Sequence, residues 1–267
     1  MRKLSNLAMA SLGAIAILTF SGASLAGEGA VKVDIKNGQN IFENGKPDAG
    51  TAPCQSCHGE KALGMDAMRT PRLANIGYAY VVKQLTNFAE DQRIGAGVGV
   101  VMNGFAKSLT EQERRDVAAY VNSLPKASEP SDLDALKADG TKVGVPYLGL
   151  KLVRYGTSEK GNVSACISCH GFNGRGADPV YPKIGQQKYN YLVDQLNNWR
   201  EGSRTGKVDT GSRANDPLGQ MRKIAAHLTD EDIANAAAFL SQAADSTPGD
   251  GMEVNNQTVL ENIKKNH

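Results

Sequence analysis

Two copies of a five-residue motif, each with two cysteines followed by a histidine, contain every cysteine of the chain. The copies are Cys54-Gln-Ser-Cys57-His58 and Cys166-Ile-Ser-Cys169-His170. A Cys-x-x-Cys-His motif is typical of the attachment site of a c-type haem. Both thiols add to the porphyrin vinyl groups, and the histidine becomes an axial ligand of the iron. We therefore predict two covalently bound haem c groups, with the four cysteines as attachment points and the two histidines as axial ligands.

Other uses of paired cysteines fit this pattern less well. Zinc sites built from two Cys-x-x-Cys pairs usually place the pairs about 15–20 residues apart, whereas 112 positions separate Cys54 from Cys166. A disulfide within Cys-x-x-Cys would close too small a loop to stabilise much of a fold. A thioredoxin-like dithiol would explain one pair and neither histidine. The chain has 4 histidines, and haem attachment accounts for two of them together with all the cysteines.

The first residues have the pattern of an export signal. Arg2 and Lys3 precede an apolar stretch at residues 7–20, and residues 24–26 form a small-x-small cleavage site. The apolar stretch is shorter than the roughly 20 residues that span a bilayer. We expect cleavage after Ala26 and a periplasmic mature chain. Retention of the segment as an anchor, with weak membrane association, is the alternative.

The charge balance excludes nucleic acid as an expected partner. The chain carries 30 Lys+Arg and 28 Asp+Glu, and loss of Arg2 and Lys3 with the signal leaves 28 of each. A balanced chain without a basic cluster lacks the electrostatic footprint of a nucleic-acid-binding protein. No second stretch of the sequence is apolar enough to be expected to cross a membrane.

An internal repeat predicts two homologous domains. A shift of 111 residues aligns Gly38 with Gly149, Pro71 with Pro182, Tyr78 with Tyr189, Tyr80 with Tyr191, Gln84 with Gln195, Phe88 with Trp199, and Arg93 with Arg204. Eight extra residues then follow Arg204 in the second copy, and a shift of 119 aligns Met102 with Met221. We predict a signal peptide at 1–26, domains at 27–127 and 147–242, an extended linker at 128–146, and a disordered polar tail at 243–267.

Each copy is predicted to be helical. Its last helix begins with a capping box, Thr110-x-x-Glu113 or Thr229-x-x-Asp232, followed by apolar residues at helical spacing. A middle helix is expected at 78–88 and 189–199, and a first helix near 38–44 and 149–155. The fold class is therefore all-α. Domains of this size have small cores of their own, so we expect the haem to supply much of each apolar centre.

The identity of the second axial ligand decides between electron transfer and chemistry at the iron. Met102 and Met221 each lie seven residues before the Leu-Thr that opens the last helix, and we expect them in loops. A thioether ligand closes the iron and favours the ferrous state. Met65 and Met68 follow His58 too closely to reach the opposite haem face easily. Less suitable still are Met252, His227 and His267.

Further residues are predicted to surround the haems. A backbone carbonyl at Pro71 or Pro182 could accept the Nδ1–H of the axial histidine and orient its ring. The aromatic residues expected to line the pockets or reach the propionates are Tyr78, Tyr80, Tyr189, Tyr191 and Trp199. Arg93 and Arg204 are candidates to pair with propionates, and solvated arginines are the alternative for both.

In these motifs the chain resembles the di-haem cytochrome c4 family, which has two class I cytochrome c domains in tandem. The resemblance extends over residues 38–242. It implies two tandem cytochrome c-like helical domains, each wrapped around one haem, with the propionates near the domain interface. It also implies electron transfer between respiratory partners, from a quinol-cytochrome c reductase-type donor to a terminal oxidase-type acceptor. The longer linker, the extra residues after Arg204 and the polar tail depart from the family pattern.

Three functions compete. The leading one is a soluble electron carrier that is not an enzyme, has no small-molecule substrate, and cycles between Fe(II) and Fe(III) at two His/Met-ligated haems. The second is the electron-accepting subunit of a periplasmic dehydrogenase, such as a flavoprotein that oxidises a sulfur compound. The third is a di-haem peroxidase or thiosulfate-oxidising enzyme, which would need a displaceable ligand at one iron. The presence of both methionines and the absence of a spare cysteine argue against the third.

Overall fold

The computed structural model describes residues 32–157 and 163–244 as a set of helices joined by loops. The α-helices are α1 (Ile35–Asn44), α2 (Gln55–His58), α3 (Tyr78–Ala89), α4 (Val101–Ser108), α5 (Glu111–Ser123), α6 (Leu133–Ala138), α7 (Pro146–Tyr155), α8 (Ile167–His170), α9 (Tyr189–Thr205), α10 (Gln220–Ala225) and α11 (Asp230–Gln242). Over the described ranges, β pairing is limited to isolated bridges. The all-α prediction is confirmed. The predicted signal peptide and the tail beyond residue 244 lie outside the described residues.

The two repeats have the same helix order and the same helix contacts. In the first, α1 packs on α5, and α3 packs on both α5 and α4. In the second, α7 packs on α11, and α9 packs on both α11 and α10. Both repeats lie within one compact unit that begins at Val33. None of the helices in the described ranges combines the length and apolarity needed to cross a bilayer.

The first and last helices of each repeat cross at a glycine. A Cβ atom on Gly38 would lie 2.1 Å from the carbonyl oxygen of Asp116, and one on Gly149 would lie 1.9 Å from that of Asn235. Any side chain at these two positions would push the helices apart. The repeated glycines therefore set the closest approach of α1 to α5 and of α7 to α11.

The same crossing is tied by a side chain of the last helix. The Asp116 carboxylate accepts hydrogen bonds from Asp34 N at 2.8 Å, Asn37 Nδ2 at 2.8 Å and Gln112 Nε2 at 2.7 Å. Burial alone would raise the pKa of Asp116, but these three donors outweigh burial and lower it below the usual value. The matching Asn235 Oδ1 accepts a hydrogen bond from Val145 N, the residue immediately before α7, at 2.7 Å. The first helix of each repeat is thus anchored at its N-terminus.

Both predicted capping boxes are present. The Thr110 hydroxyl accepts from Glu113 N at 3.2 Å, and Glu113 Oε2 accepts from Thr110 N at 2.7 Å. The Thr229 and Asp232 pair makes the same two bonds at 3.1 and 2.9 Å. Each box satisfies two backbone donors that the first turn of a helix would leave without partners. The starts of α5 and α11 follow directly from these four side chains.

The predicted extended linker is wrong in one part, because 128–146 contains α6. Asp132 caps this helix by accepting hydrogen bonds from two backbone N–H groups of its first turn. Leu133 and Leu136, one turn apart, are buried in the core of the second repeat. Ser131 Oγ accepts from Tyr189 N at 2.9 Å. The helix was missed because only two of the residues that form its buried face are apolar in an otherwise polar segment. The segment packs against the second repeat.

The two repeats meet through paired backbone and side-chain hydrogen bonds. Gln187 accepts from Arg72 N at 2.7 Å and donates to Arg72 O at 3.0 Å. Lys183 N donates to Ile76 O at 3.1 Å. A shift of 111 residues exchanges Arg72 with Lys183 and Ile76 with Gln187, so equivalent segments of the two repeats face each other across an approximate local two-fold axis.

Candidate haem-binding sites

Each Cys-x-x-Cys-His motif forms one helical turn. His58 N donates to Cys54 O at 3.0 Å, and His170 N donates to Cys166 O at 2.9 Å. Residues three and four positions apart share one face of a helix, so each turn presents two sulfurs and an imidazole together. The glycine after each histidine has a positive φ, 78° and 70° respectively, and ends the turn at once.

Both imidazoles are buried and held by a proline carbonyl. His58 Nδ1 lies 3.0 Å from Pro71 O, and His170 Nδ1 lies 2.9 Å from Pro182 O. A carbonyl can only accept, so Nδ1 carries the hydrogen and the Nε2 lone pair is left available. Burial lowers the pKa of both imidazoles, and the hydrogen bond to the carbonyl opposes that effect. The neutral ring is the form that can ligate a metal.

The loop that carries the proline is tied back to the motif. In the first repeat, Thr70 Oγ1 donates to Cys57 O at 2.5 Å, and Gly64 N donates to His58 O at 2.9 Å. In the second repeat, Gly176 N donates to the carbonyl oxygen of the motif histidine at 2.7 Å. These bonds hold the proline carbonyl opposite Nδ1. Outer partners of this kind orient metal-ligating histidines.

The chemical state of the four cysteines fits covalent attachment of a haem. None of the four forms a disulfide. Burial raises the pKa of Cys54 and of Cys166 to about 11, as expected for thiols at the edge of an apolar cluster. Cys54 packs against the core of the first repeat, and Cys166 against that of the second. Two thiols, a neutral buried imidazole and an apolar surround are the donor set and environment that a haem c requires.

Met102 and Met221 are the second residues of α4 and α10, so the prediction that they lie in loops is wrong. A short 3-10 turn before each methionine, at 97–100 and 217–219, leads the chain directly into an α-helix. Met102 packs against the same apolar cluster as Cys54. Met221 is half-buried. The two positions are equivalent in the two repeats.

Met65 lies in the loop between the first haem motif and Pro71. Its backbone pairs with Thr70 in an isolated bridge, in the loop that presents the Pro71 carbonyl to His58. Met65 thus stays close to His58 in the chain and in the fold, and the choice of Met102 as the second ligand stays a prediction.

The predicted aromatic residues are buried or half-buried, with different partners. Tyr78 packs against the cluster that includes Cys54 and Met102. Tyr189 is fully buried in the core of the second repeat, and its hydroxyl donates to Lys142 O at 2.8 Å. The guanidinium carbon of Arg213 lies 3.9 Å from the ring centroid of Trp199. Tyr189 is thus part of the core of the second repeat, and its hydroxyl already has a backbone partner.

In the structure, Arg204 does not occupy the place in the second repeat that Arg93 occupies in the first. Arg93 is buried at the repeat interface, whereas the Arg204 side chain is 74% exposed and forms an ion pair with Glu201 at 2.6 Å. The counterpart of Arg93 is Arg213, which sequence reasoning missed. Its guanidinium lies over Trp199, as that of Arg93 lies over Phe88 at 4.5 Å.

The reason for this correction is the position of the eight extra residues. Helix α9 continues to Thr205, and the added residues form a loop that returns Arg213 N to the carbonyl oxygen of Asn198 at 2.9 Å. The insertion therefore precedes Arg213, the structural counterpart of Arg93. Counting back from the methionines would have found it, since Arg93 lies nine residues before Met102 and Arg213 lies eight before Met221.

Two helical repeats, each with a thiol pair and a neutral, oriented imidazole, define a c-type cytochrome with two haem sites. The cytochrome c family model matches residues 35–125 and 161–244. The chain belongs to the cytochrome c family and, within it, to the di-haem cytochrome c4 proteins.

Three proteins are similar to the chain over most of its length. The chain is 31% identical over 229 residues to a thiosulfate dehydrogenase electron acceptor from Stutzerimonas stutzeri, covering 84% of this chain and 96% of that protein. The structure of reduced cytochrome c4 from Pseudomonas stutzeri matches with 28% identity and a TM-score of 0.61, covering 79% of this chain and 98% of that one. Thiosulfate dehydrogenase (TsdBA) from Marichromatium purpuratum matches with 27% identity and a TM-score of 0.67, covering 81% of this chain but 42% of that longer one.

The chain is therefore a di-haem electron carrier that exchanges electrons with redox proteins. Haem, when bound, supplies a one-electron Fe(II)/Fe(III) couple. The chain itself supplies covalent attachment through its thiols, an imidazole whose Nδ1–H is fixed by a carbonyl, and helices that bury the site. These features would hold each histidine ligand in one fixed orientation, which suits one-electron exchange.

Proposed function

We propose that this chain accepts electrons from a periplasmic dehydrogenase of a sulfur compound, of the thiosulfate dehydrogenase type, and passes them to a terminal oxidase-type acceptor. The observation that carries this proposal is the match over 84% of this chain and 96% of the electron acceptor from Stutzerimonas stutzeri. A second electron acceptor of the same name, from Thiomonas intermedia, is 32% identical over 190 residues. The similarity to a structure titled TsdBA supports the same type of donor.

In this proposal each repeat, 27–127 and 147–242, carries one haem whose iron has two protein ligands and no open position. His58 and Met102 are the axial ligands of the first iron, and His170 and Met221 those of the second. Thioether ligands keep both irons inaccessible to substrate and raise their potentials. The chain is then a carrier without catalytic residues of its own.

The proposed compartment is the periplasm, reached through a signal peptide cleaved after Ala26. Thiosulfate dehydrogenation and covalent haem attachment would then take place in the same compartment. Mass spectrometry of the mature holo-protein tests this directly. We expect the mass of residues 27–267 plus two haems, and retention of residues 1–26 would contradict the cleavage.

The donor is tested by stopped-flow reduction of the oxidised holo-protein. With thiosulfate and a thiosulfate dehydrogenase, both haems should become reduced within the turnover time of the enzyme. Thiosulfate without the dehydrogenase should leave both oxidised, because the chain itself is not the enzyme. Reduction by thiosulfate alone would contradict the assignment as a carrier.

The second candidate donor is a quinol-cytochrome c reductase, and the similarity to cytochrome c4 proteins favours it. The same experiment with quinol and the reductase separates the two. Faster reduction by the reductase than by the dehydrogenase, at equal enzyme concentration, would replace the sulfur-compound donor with the quinol-linked one.

A further inference from the structure

The residue that follows each proposed axial methionine ties the helix of that methionine to the chain around it. Asn103 follows Met102 in α4, Arg222 follows Met221 in α10, and a shift of 119 residues aligns the two. Neighbouring residues of an α-helix point in directions about 100° apart. One position can therefore tie the helix to its surroundings while the other supplies the sulfur.

In the first repeat this tie is a neutral side-chain amide. Asn103 Oδ1 accepts from Gly95 N at 2.9 Å. Asn103 Nδ2 donates to Phe88 O at 2.9 Å and to Arg93 O at 2.8 Å, and it lies 3.2 Å from Asp91 Oδ1. These partners belong to the last turn of α3 and to the loop that follows it. A single side chain thus joins the start of α4 to the end of α3.

The chain that leads into α4 needs such a tie. Residues 95–99 read Gly-Ala-Gly-Val-Gly. Glycine restricts the backbone less than any other residue, so a segment with three glycines in five positions does not by itself determine where the helix begins. The hydrogen bonds of Asn103 supply that restriction next to Met102.

In the second repeat the tie is a buried carboxylate paired with a guanidinium. Asp216 Oδ2 accepts from Arg222 N at 3.0 Å, and Asp216 Oδ1 accepts from Arg222 Nε at 2.8 Å. The Asp216 side chain is 3% exposed, and charge-assisted hydrogen bonds are stronger than neutral ones. The contact spans the 3-10 turn at 217–219 and brackets Met221. Gly97 is the aligned residue of the first repeat, so the two repeats hold the same helix by different chemistry.

We propose that Asn103 and the Asp216–Arg222 pair, here called the methionine anchors, are positioning residues that hold Met102 and Met221 in place as axial ligands. This inference rests on the proposed His/Met ligation. Groups that hold a metal ligand in place are typically worth about 10–100-fold in metal affinity. Because the two anchors share no residue, loss of one loosens the methionine of its own repeat and leaves the other methionine unchanged.

Competition with imidazole on the oxidised holo-protein tests the proposal, because imidazole is also a ligand for iron. The readout is the imidazole concentration that halves the sulfur-to-iron charge-transfer band. In a Met221→Ala background the remaining band reports on Met102. Adding Asn103→Ala should lower the halving concentration by about 10–100-fold, and adding Asp216→Ala should leave it unchanged. In a Met102→Ala background the effects of these two substitutions should be exchanged.

Exposed side chains of the same types provide matched controls. Asn44→Ala removes an exposed asparagine of the first repeat, and Asp209→Ala removes an exposed aspartate of the second. Neither should change the halving concentration in either background. An anchor variant that loosens both methionines equally acts through general destabilisation, and an anchor variant that loosens neither has no positioning role. Either result would overturn the proposal.

Two further variants keep the test decisive if an alanine variant does not fold. Arg222→Ala removes the Nε contact to Asp216, and Asn103→Asp removes the amide donor but keeps an acceptor for Gly95 N. Each should lower the halving concentration in the background that reports on its own repeat and in no other. A single-methionine background without any band would contradict the ligation and this inference with it. A normal band with unchanged halving concentrations would contradict the anchors alone.

Discussion

The helix crossing at Gly149 allows a prediction whose size follows from the structure. A Cβ atom there would lie 1.9 Å from Asn235 O, 2.6 Å from Asn235 C and 2.9 Å from Phe239 Cβ. Restoring a carbon–oxygen contact of about 3.3 Å requires α7 and α11 to separate by more than an ångström. That separation also breaks the 2.7 Å hydrogen bond from Val145 N to Asn235 Oδ1. Gly149→Ala should therefore destabilise the second repeat.

The net cost combines three contributions. Overpacking of a close contact costs about 1–3 kcal/mol, and the lost hydrogen bond costs about 1 kcal/mol. The higher helix propensity of alanine returns about 1 kcal/mol. We expect the free energy of unfolding of Gly149→Ala to fall by about 2 kcal/mol, a large share of the typical stability of about 5–15 kcal/mol.

Guanidinium unfolding of the holo-protein, followed by far-UV circular dichroism, measures this change. Gly104→Ala is the matched control, since Gly104 lies inside α4 and a Cβ atom there meets nothing within 4 Å. It should gain about 0.5–1 kcal/mol from helix propensity alone. Equal stability of Gly149→Ala and the wild type, or a gain in both variants, would refute the argument that the glycine sets the helix crossing.

Three other substitutions test the fold and the repeat interface. The depressed pKa of Asp116 means that its stabilisation is complete above the unfolded-state pKa of about 3.9 and is lost as pH falls through the lower folded-state pKa. Asp116→Asn should cost about 1–3 kcal/mol at neutral pH, and the difference from wild type should shrink in acid unfolding titrations; a difference independent of pH would contradict this. Gln187→Ala leaves Arg72 N and Arg72 O without their buried partner and should cost about 2–3 kcal/mol. Arg69→Ala breaks the more exposed ion pair with Asp194 and should cost less than about 1 kcal/mol. Denaturant unfolding compares the two variants. A larger loss of stability in Arg69→Ala than in Gln187→Ala would show that charge pairing holds the interface.

Local patterns in the sequence were enough to predict the haem motifs, the capping boxes and the hydrogen bonds from histidine to proline. Each depends on residues close in sequence or on a motif with one dominant geometry. Thr110 and Glu113, for example, can bond only if a helix begins between them. The repeat then transferred each prediction from one domain to the other.

Features that depend on contacts between distant segments were missed. Arg213 was missed because the eight extra residues were placed after Arg204, which made Arg204 the counterpart of Arg93; the spacing back from the methionines points to Arg213 instead. Helix α6 escaped because only Leu133 and Leu136 are apolar in a polar segment, and their burial depends on the second repeat. Met102 and Met221 lie on short helices because the preceding 3-10 turns continue into them, which a glycine-rich sequence does not reveal.

The most direct test of methionine ligation at both irons is the sulfur-to-iron charge-transfer band of the oxidised protein, quantified per haem. His/Met ligation of both irons predicts two equivalents of this band in the wild type and one each in Met102→Ala and Met221→Ala. Met65→Leu, which changes a methionine in the loop that carries Pro71, should retain both. A wild type with one equivalent or none, or an unchanged band in Met102→Ala or Met221→Ala, would contradict the proposed His/Met ligation.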